Sequence, residues 1–350
     1  MRRPLLWLVF GASSVAVAGC ALVLRPSHAI GDYKDYLIND IRPIRNGTIR
    51  VTFLGTSTLL LEDDSTKLLI DGFISRPPLR HVLIRGLRTN TAVVDTVLNR
   101  LGARRVDALF TVHSHYDHAL DAAYIARTRH ALLYGSESTR MVGLGGRVDP
   151  GRIKVFVEGE PATVGEFRVT PFRSTHSTQS WPVSFLGQIT DPLRQPAHVS
   201  QYREGGSFDL LIQHRNHTIL IKPSPFLDSL PTGLRADVVF LGIGTLGKRD
   251  TNFKHAYYER WVRGVGARHV IPIHWDDFFA PLSDDLPAAP WVVDTKPRAA
   301  FDYLIGCTQK DRIGFQILQG FGSILLFSPD GPPTRPPARP PVLHPRCPRG

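Results

Sequence analysis

The stretch VDALFTVHSHYDHALDAAYIA, residues 106–126, decides the fold. It begins with an apolar, β-branched run that predicts a buried strand, and it continues into a pattern that predicts a helix. Between the two, His113, His115, Asp117 and His118 fall within six consecutive residues. The sequence therefore predicts three imidazoles and a carboxylate on a strand-to-helix loop.

The residue types on this loop are those that bind divalent metal ions. Imidazole nitrogen and carboxylate oxygen suit zinc and the neighbouring divalent metals. Alternate residues of an extended loop point the same way, so His113 and His115 can hold one ion. Asp117 and His118, at the start of the helix, are offset enough to hold a second. The alternative is a chance cluster of surface histidines, but such clusters rarely follow a buried strand.

Short strands and helices alternate on both sides of this stretch. Apolar runs predict a strand meander upstream, and a pair of runs around Arg215-Asn216 predicts a hairpin downstream. The predicted strands lie at 49–55, 58–62, 67–72, 106–112, 153–157, 166–171, 208–214, 217–222, 236–244, 268–274, 314–318 and 323–327, and the predicted helices at 91–101 and 254–265. This alternation predicts a layered α/β domain with helices outside two packed sheets.

The N-terminus has the layout of a secretory signal, with two arginines followed by an uncharged apolar run. Val17-Ala18-Gly19-Cys20 matches the lipobox of bacterial lipoproteins, in which the cysteine becomes the lipidated N-terminus. We therefore expect a signal peptide over 1–19 and an exported, membrane-anchored lipoprotein of the bacterial cell envelope. An uncleaved anchor and ordinary cleavage with an incidental Cys20 are the alternatives, and both also place the body outside the cytoplasm.

Composition and cysteine usage divide the rest of the chain. Residues 20–47 predict a tether, 48–328 the folded domain, and 329–350 a proline-rich, extended tail. After Cys20 only Cys307 and Cys347 remain, outside any metal-binding spacing. They could pair in an oxidising compartment, but two cysteines alone do not establish a bond.

The positive net charge does not mark a nucleic-acid groove. The formal charge is +11; without the two arginines of the signal it is +9, and without the four arginines of the tail from Gly331 it is +5 for residues 20–330. That excess is mild for a body of this size, so we expect the tail to contact the envelope and no nucleic acid to bind.

The motif HSHYDH at 113–118 resembles the HxHxDH motif of the metallo-β-lactamase superfamily, and other matches follow in the family's order. Asp71 matches the structural aspartate, His176 the third ligand of the first metal, and His274 the last ligand of the second. The resemblance covers about residues 48–327. The ending IPIHWDDF is most similar to predicted zinc-dependent hydrolases related to the ascorbate-6-phosphate lactonase and N-acylphosphatidylethanolamine phospholipase D branches. The resemblance implies a four-layer αββα sandwich.

One position departs from the family pattern. The family usually supplies a bridging aspartate where this chain has Lys222-Pro223-Ser224, and the next carboxylate is Asp228. A one-metal site and a bridge from Ser224 or Asp228 both stay open. Lys222 could replace the charge of a second metal, or it could extend to the surface.

Other residues near these motifs are weaker candidates. Asp276 and Asp277 follow His274 and could orient ligating imidazoles or shuttle protons, or they could be solvated turn residues. His255 could reach the pocket, although a position on the helix surface is favoured. The remaining histidines expected to be structural are His198, His214, His217 and His269.

The resemblance implies a hydrolase whose metal ligands are His113, His115, Asp117, His118, His176 and His274. One or two zinc ions, or another divalent metal, lower the pKa of a bound water from 15.7 to about 7. Asp117 is the catalytic residue expected to orient this nucleophile and return a proton. We expect a small-molecule or lipid substrate with an ester, lactone or phosphodiester-type bond. The alternatives are a phosphodiesterase or phospholipase D-like activity on phospholipids, and a catalytically silent metal-binding envelope lipoprotein.

Overall fold

The computed structural model describes residues 30–177, 185–290, 293–294 and 296–329, together with Cys347. The predicted signal peptide, the predicted lipidation site Cys20 and nearly all of the predicted tail lie outside the described residues. None of the helices in the described ranges has the length and hydropathy that crossing a membrane requires.

The described residues form sixteen strands and seven α-helices, which we number in chain order. The strands are β1 (Leu37–Ile38), β2 (Ile49–Phe53), β3 (Leu59–Glu62), β4 (Lys67–Ile70), β5 (Ala108–Phe110), β6 (Leu132–Gly135), β7 (Ile153–Val155), β8 (Ala162–Val164), β9 (Phe167–Ser174), β10 (Ser207–His214), β11 (His217–Lys222), β12 (Val238–Gly242), β13 (His269–Ile273), β14 (Gly314–Phe315), β15 (Ile317–Leu318) and β16 (Ser323–Leu326). The helices are α1 (Leu79–Ile84), α2 (Thr91–Arg100), α3 (Tyr116–Ala119), α4 (Ala122–Thr128), α5 (Glu137–Gly145), α6 (Thr251–Tyr258) and α7 (Pro297–Asp311).

Two seven-stranded sheets carry the fold. The first has the order β16-β2-β3-β4-β5-β6-β7 and the second the order β14-β13-β12-β11-β10-β9-β8. Strands β4 to β7 are parallel in the first sheet, and β11 to β14 are parallel in the second. Because the carboxyl ends of parallel strands meet at one edge of a sheet, the residues that follow them gather there.

The alternation of side chains along the strands builds two separate cores. Leu59, Leu61 and Leu68 belong to a cluster that joins both sheets and includes α6 and α7. Leu60 and Leu69 point the other way and pack against α2, α4 and α5. Each such buried leucine contributes roughly 1.5–3 kcal/mol relative to exposure. The result is four layers, with helices on the outer face of each sheet.

Part of the predicted tether packs on the domain instead. Ile30 and Tyr33 are buried within a 3-10 helix, Ile30–Tyr36. The Tyr33 hydroxyl donates to Asp302 Oδ1 at 2.7 Å, and its ring centroid lies 4.9 Å from that of Phe301 on α7. Strand β1 then pairs in parallel with β15. The sequence did not predict this packing, because the segment has only two buried residues, Ile30 and Tyr33, and they form no periodic apolar pattern.

The pairing of Cys307 and Cys347, which the sequence leaves open, is present in the structure. The two residues form a disulfide, with their Cα atoms 5.2 Å apart, a separation that is usual for such bonds. Cys307 is buried on α7, so the bond ties this point of the tail to the domain.

Candidate metal centre

The six predicted ligands converge at the edge where strands of both sheets end. His113 and His115 lie on the loop between β5 and α3, while Asp117 and His118 lie in the first turn of α3. His176 follows β9, and His274 follows β13 directly. Six side chains from three separate parts of the chain are thus brought to one place.

His113, His115 and His176 form the first group. Their candidate ligand nitrogens all lie within 4.8 Å of one another, and the ring centroids are 4.6–4.9 Å apart. Both nitrogens of His113, Nε2 of His115 and Nδ1 of His176 are buried without a hydrogen-bond partner among the described residues. A buried polar atom without a partner is costly, so these unpartnered nitrogens fit a metal ion.

The protonation of this group also suits a metal. Burial lowers the pKa of His113 well below its ordinary value and lowers the pKa of His176 to about 3. Burial likewise lowers the pKa of His115. All three imidazoles are therefore neutral near pH 7, which is the form that binds metal.

Asp117, His118 and His274 form the second group, again with candidate ligand atoms within 4.8 Å of one another. Asp117 Oδ2 lies 3.6 Å from His118 Nε2 and 3.5 Å from His274 Nε2. Burial by itself would raise the pKa of Asp117, but the imidazoles of His118 and His274 outweigh it and hold that pKa well below its ordinary value. The ring centroids of His113 and His118 are 3.8 Å apart, so the two groups adjoin.

Asp71 orients one imidazole of the second group. Its Oδ2 lies 2.8 Å from His118 Nδ1, and it accepts hydrogen bonds from Ser57 Oγ at 2.6 Å and, through Oδ1, from Val112 N at 2.9 Å. The carboxylate is fully buried. A proton held on Nδ1 leaves the Nε2 lone pair of His118 free for a metal.

An apolar cleft opens over the two groups. Its cavity of about 130 Å³ is large compared with the roughly 10–15 Å³ that one water needs on the same measure. His115, Asp117, His176 and His274 lie at its polar end. The apolar lining, which sequence patterns did not reveal, includes Leu79, Val82, Leu83, Tyr116, Phe185, Val199, Phe278, Phe279, Ala289 and Val293. A few polar groups within apolar walls are typical of small-molecule sites.

The family model described as the metallo-beta-lactamase superfamily matches residues 51–211. The match runs from β2 to β10 and includes both the 113–118 motif and His176. Residues 51–211 are therefore similar to the metallo-β-lactamase superfamily.

Known relatives are distant. The chain is 28% identical over 185 residues to an uncharacterized protein of Mycobacterium leprae, covering 47% of this chain and 61% of that protein. It is 22% identical over 151 residues to a UPF0173 protein of Pyrococcus furiosus, covering 43% of this chain and 59% of that protein. The chain thus spans about three fifths of the length of each of these relatives.

A solved structure supports the architecture. The metallo hydrolase Igni18 of Ignicoccus hospitalis aligns with a TM-score of 0.51 at 15% identity, covering 80% of this chain and 99% of that one. The predicted αββα fold is confirmed. At this identity the likeness concerns the fold alone.

Lys222, where the resemblance would place a bridging aspartate, is held away from the surface. The side chain is fully buried, with Nζ 3.0 Å from Asp209 Oδ2, 2.9 Å from Asp228 Oδ2 and 4.6 Å from the Trp261 ring centroid. The suggestion that Lys222 extends to the surface is therefore wrong. Asp209 and Asp228 balance the positive charge of the Lys222 ammonium. This charge is therefore not available to take the place of a second metal ion.

The two residues suggested as bridges, Ser224 and Asp228, lie in different surroundings. Asp228 is engaged by Lys222, and neither residue lines the cleft, whereas Ser224 does. Of the two, Ser224 is the one that lines the same cleft as His115, Asp117, His176 and His274.

Asp276 and Asp277 do not orient an imidazole directly. Asp276 accepts from Arg76 Nη2 at 2.6 Å and from Thr56 N at 2.8 Å, and Asp277 Oδ1 accepts from Phe279 N at 2.9 Å. None of the hydrogen bonds found for these two carboxylates in the described ranges goes to an imidazole, so the suggestion that they orient a ligating imidazole is corrected. Asp71 performs it for His118.

Asp276 instead helps to fix the loop that carries His274. His274 has a left-handed backbone (φ 58°) and donates from its N to Thr56 O at 2.6 Å. Arg76 spans the loop by donating from Nη2 to Asp277 O at 2.6 Å and from Nε to Ala280 O at 2.8 Å. Sequence reasoning missed Arg76 because 200 residues separate it from Asp276, and no local pattern marks such a pair.

The remaining histidines lie outside the cleft. His255 on α6 lies 3.7 Å from Glu259 one turn away, as a helix-surface position predicts. His214 Nε2 is 3.1 Å from Asp63 and 3.6 Å from Glu166, which Arg215 pairs at 2.6 Å. Asp63, Glu166 and His214 thus form a third cluster of possible metal ligands, which joins turns of the two sheets at the edge opposite the cleft.

We expect Asp71→Asn to weaken metal binding about 10- to 100-fold, the usual effect of removing a residue that hydrogen-bonds to a metal ligand. An amide nitrogen facing His118 Nδ1 favours the other tautomer, with the proton on Nε2. Competition with a chromophoric chelator measures the change. Asp237→Asn is the matched control, because Asp237 accepts from Thr218 N at 2.9 Å at the far end of β12. Equal affinities in both variants would contradict the role of Asp71.

Proposed function

We propose that this chain is a metal-dependent hydrolase that uses a zinc-activated water at the cell envelope. The observation that carries the proposal is the convergence of His113, His115, Asp117, His118, His176 and His274 at one end of an apolar cleft, with unpartnered buried nitrogens. The match of residues 51–211 to the metallo-β-lactamase superfamily supports the same reaction class.

The donor set fits zinc. Three neutral imidazoles in one group, and two imidazoles with an ionised carboxylate in the other, are combinations that zinc favours. Zinc, when bound, lowers the pKa of a water and polarises the scissile oxygen.

Asp117 is the residue we assign to proton transfer. It is ionised and lines the cleft, so it can accept a hydrogen bond from the attacking water and return the proton to the leaving group. The apolar walls limit competing water and strengthen the charge interactions of this carboxylate.

The lining of the cleft supports a substrate with an apolar part. Apolar walls suit an ester, a lactone or a phosphodiester with an apolar substituent, and we propose a small-molecule or lipid substrate. Comparing bis-p-nitrophenyl phosphate with p-nitrophenyl esters and with lactones separates the classes. Turnover confined to the phosphate diester favours a phosphodiesterase or phospholipase D-like enzyme. Inactivity on all three, with metal bound, favours the silent metal-binding lipoprotein.

We also propose that the protein is exported and lipid-anchored at Cys20. The Cys307–Cys347 disulfide is consistent with an oxidising compartment. Cys20→Ser is expected to release the protein from membranes, as fractionation would show. Unchanged attachment would point to an uncleaved anchor.

A further inference from the structure

The mouth of the cleft carries large aliphatic side chains that face solvent. On α1, Leu79, Val82 and Leu83 line the cleft. Leu83 is nevertheless 48% exposed, and the neighbouring Ile84 is 75% exposed. The apolar wall of the cleft therefore continues onto the outer surface of α1 instead of ending at a polar rim.

Unpaired positive charge surrounds these aliphatic residues. Arg80, Arg85 and Arg88 are all exposed, and the ion pairs found in the described part of the chain do not include them. Leu186 is 52% exposed next to Phe185, which also lines the cleft. We call residues 79–88 together with Leu186 the rim.

We propose that the rim docks on an anionic lipid surface, with Leu83 and Ile84 at the acyl boundary and the arginines on headgroup phosphates. Aliphatic residues interleaved with arginines match the chemistry of such a surface. So small a set cannot bury the roughly 800 Å² per partner of a stable protein interface, whereas a few inserted side chains with basic neighbours suffice for reversible membrane contact.

Docking by the rim would turn the cleft mouth toward the lipid. An apolar molecule could then pass from the acyl layer along Leu83, Leu79 and Val82 toward the candidate ligands without crossing water. The inference goes beyond the proposed hydrolysis, since it concerns which face meets the membrane and needs no turnover. It is also separate from an anchor at Cys20, which would tether the chain without orienting the cleft.

Fluorescent labels on the full-length chain test the proposal directly. In a Cys20→Ser background, whose other two cysteines are joined, an NBD label is placed at Ile84→Cys or at Ile41→Cys. Ile41 is the matched control: it is 81% exposed but follows Asp40, whose N donates to Ser323 O at the start of β16, and it does not line the cleft. Vesicles contain phosphatidylcholine alone or with phosphatidylglycerol, and some carry doxyl groups on the acyl chains.

On phosphatidylglycerol vesicles we expect the label at 84 to shift to the blue and to lose most of its emission to doxyl lipids, while the label at 41 stays aqueous. Because any contact of the N-terminal segment with lipid is the same in both proteins, the difference reports the rim alone. If both labels stay aqueous, or respond alike, the proposal is overturned.

A charge variant tests the role of the arginines. Changing Arg80, Arg85 and Arg88 to Gln is expected to reduce doxyl quenching at position 84 at least tenfold at physiological salt. Its matched control changes Arg104, Arg168 and Arg268, which are exposed and do not line the cleft, and is expected to retain quenching. An equal loss in both variants would show that net charge acts instead of the rim, and would overturn the proposal.

Discussion

His115→Ala is expected to abolish hydrolysis while leaving the fold intact. His115 lines the cleft, and its Nε2 is buried without a partner among the described residues. Removing a residue that hydrogen-bonds to a metal ligand usually lowers activity about 10- to 100-fold. Removing the ligand itself should therefore lower kcat/KM by more than that. Among the described residues the imidazole has no partner through Nε2, and its one backbone partner is Phe185, so we expect a small change in stability.

Asp117→Ala is expected to behave in the same way, because it removes both a ligand and the proton acceptor. Turnover of whichever chromogenic substrate the wild type hydrolyses is the measurement, with circular dichroism to verify the fold. His198→Ala is the control, since His198 is exposed and the hydrogen bonds of its imidazole within the described part of the chain go to Ser200. Wild-type-like turnover by His115→Ala or Asp117→Ala would contradict the assignment of these two residues to the active site.

Arg76→Ala is expected to destabilise the protein by roughly 3–5 kcal/mol, the usual cost of leaving one partner of a buried ion pair unpaired. Both Arg76 and Asp276 have fully buried side chains. The substitution also frees the 274–280 loop, so the second group should release its metal more easily than the first. Denaturant unfolding of the metal-free protein measures the stability, and chelator titration measures the metal.

The matched control for this prediction is Arg105→Ala. Arg105 forms an ion pair with Asp107 at 3.2 Å but is 77% exposed, and such surface pairs contribute about 0–1 kcal/mol. A similar small loss of unfolding free energy in both variants would mean that Arg76 does not hold the loop.

The parts of the site that the sequence predicted are those encoded locally. The 113–118 motif places four candidate ligands on one loop, where strand and helix patterns fix their context. The local sequence pattern was not enough to predict His176, His274 and Asp71, because each is a single residue far from the 113–118 motif. They were predicted from the family's order along the chain. In the structure His176 and His274 lie beside the 113–118 loop, and Asp71 contacts His118.

What the sequence could not predict depends on contacts between distant segments. The departure at Lys222 was visible, but its two carboxylate partners were not, because which way a lysine points depends on packing. The Arg76–Asp276 pair joins residues 200 positions apart, and the packing of Tyr33 on α7 has no periodic pattern. The apolar cleft walls likewise come from short loops and a six-residue helix, α1.

Metal stoichiometry tests the central claim most directly. Elemental mass spectrometry of the full-length protein, saturated with zinc and freed of excess, is compared with a His113→Ala variant. The account predicts two ions per chain in the wild type, one of them removed more readily by a chelator because no carboxylate bridges the groups, and at least one lost in the variant. A wild-type chain that retains no metal, or a variant that retains as much as the wild type, would contradict it.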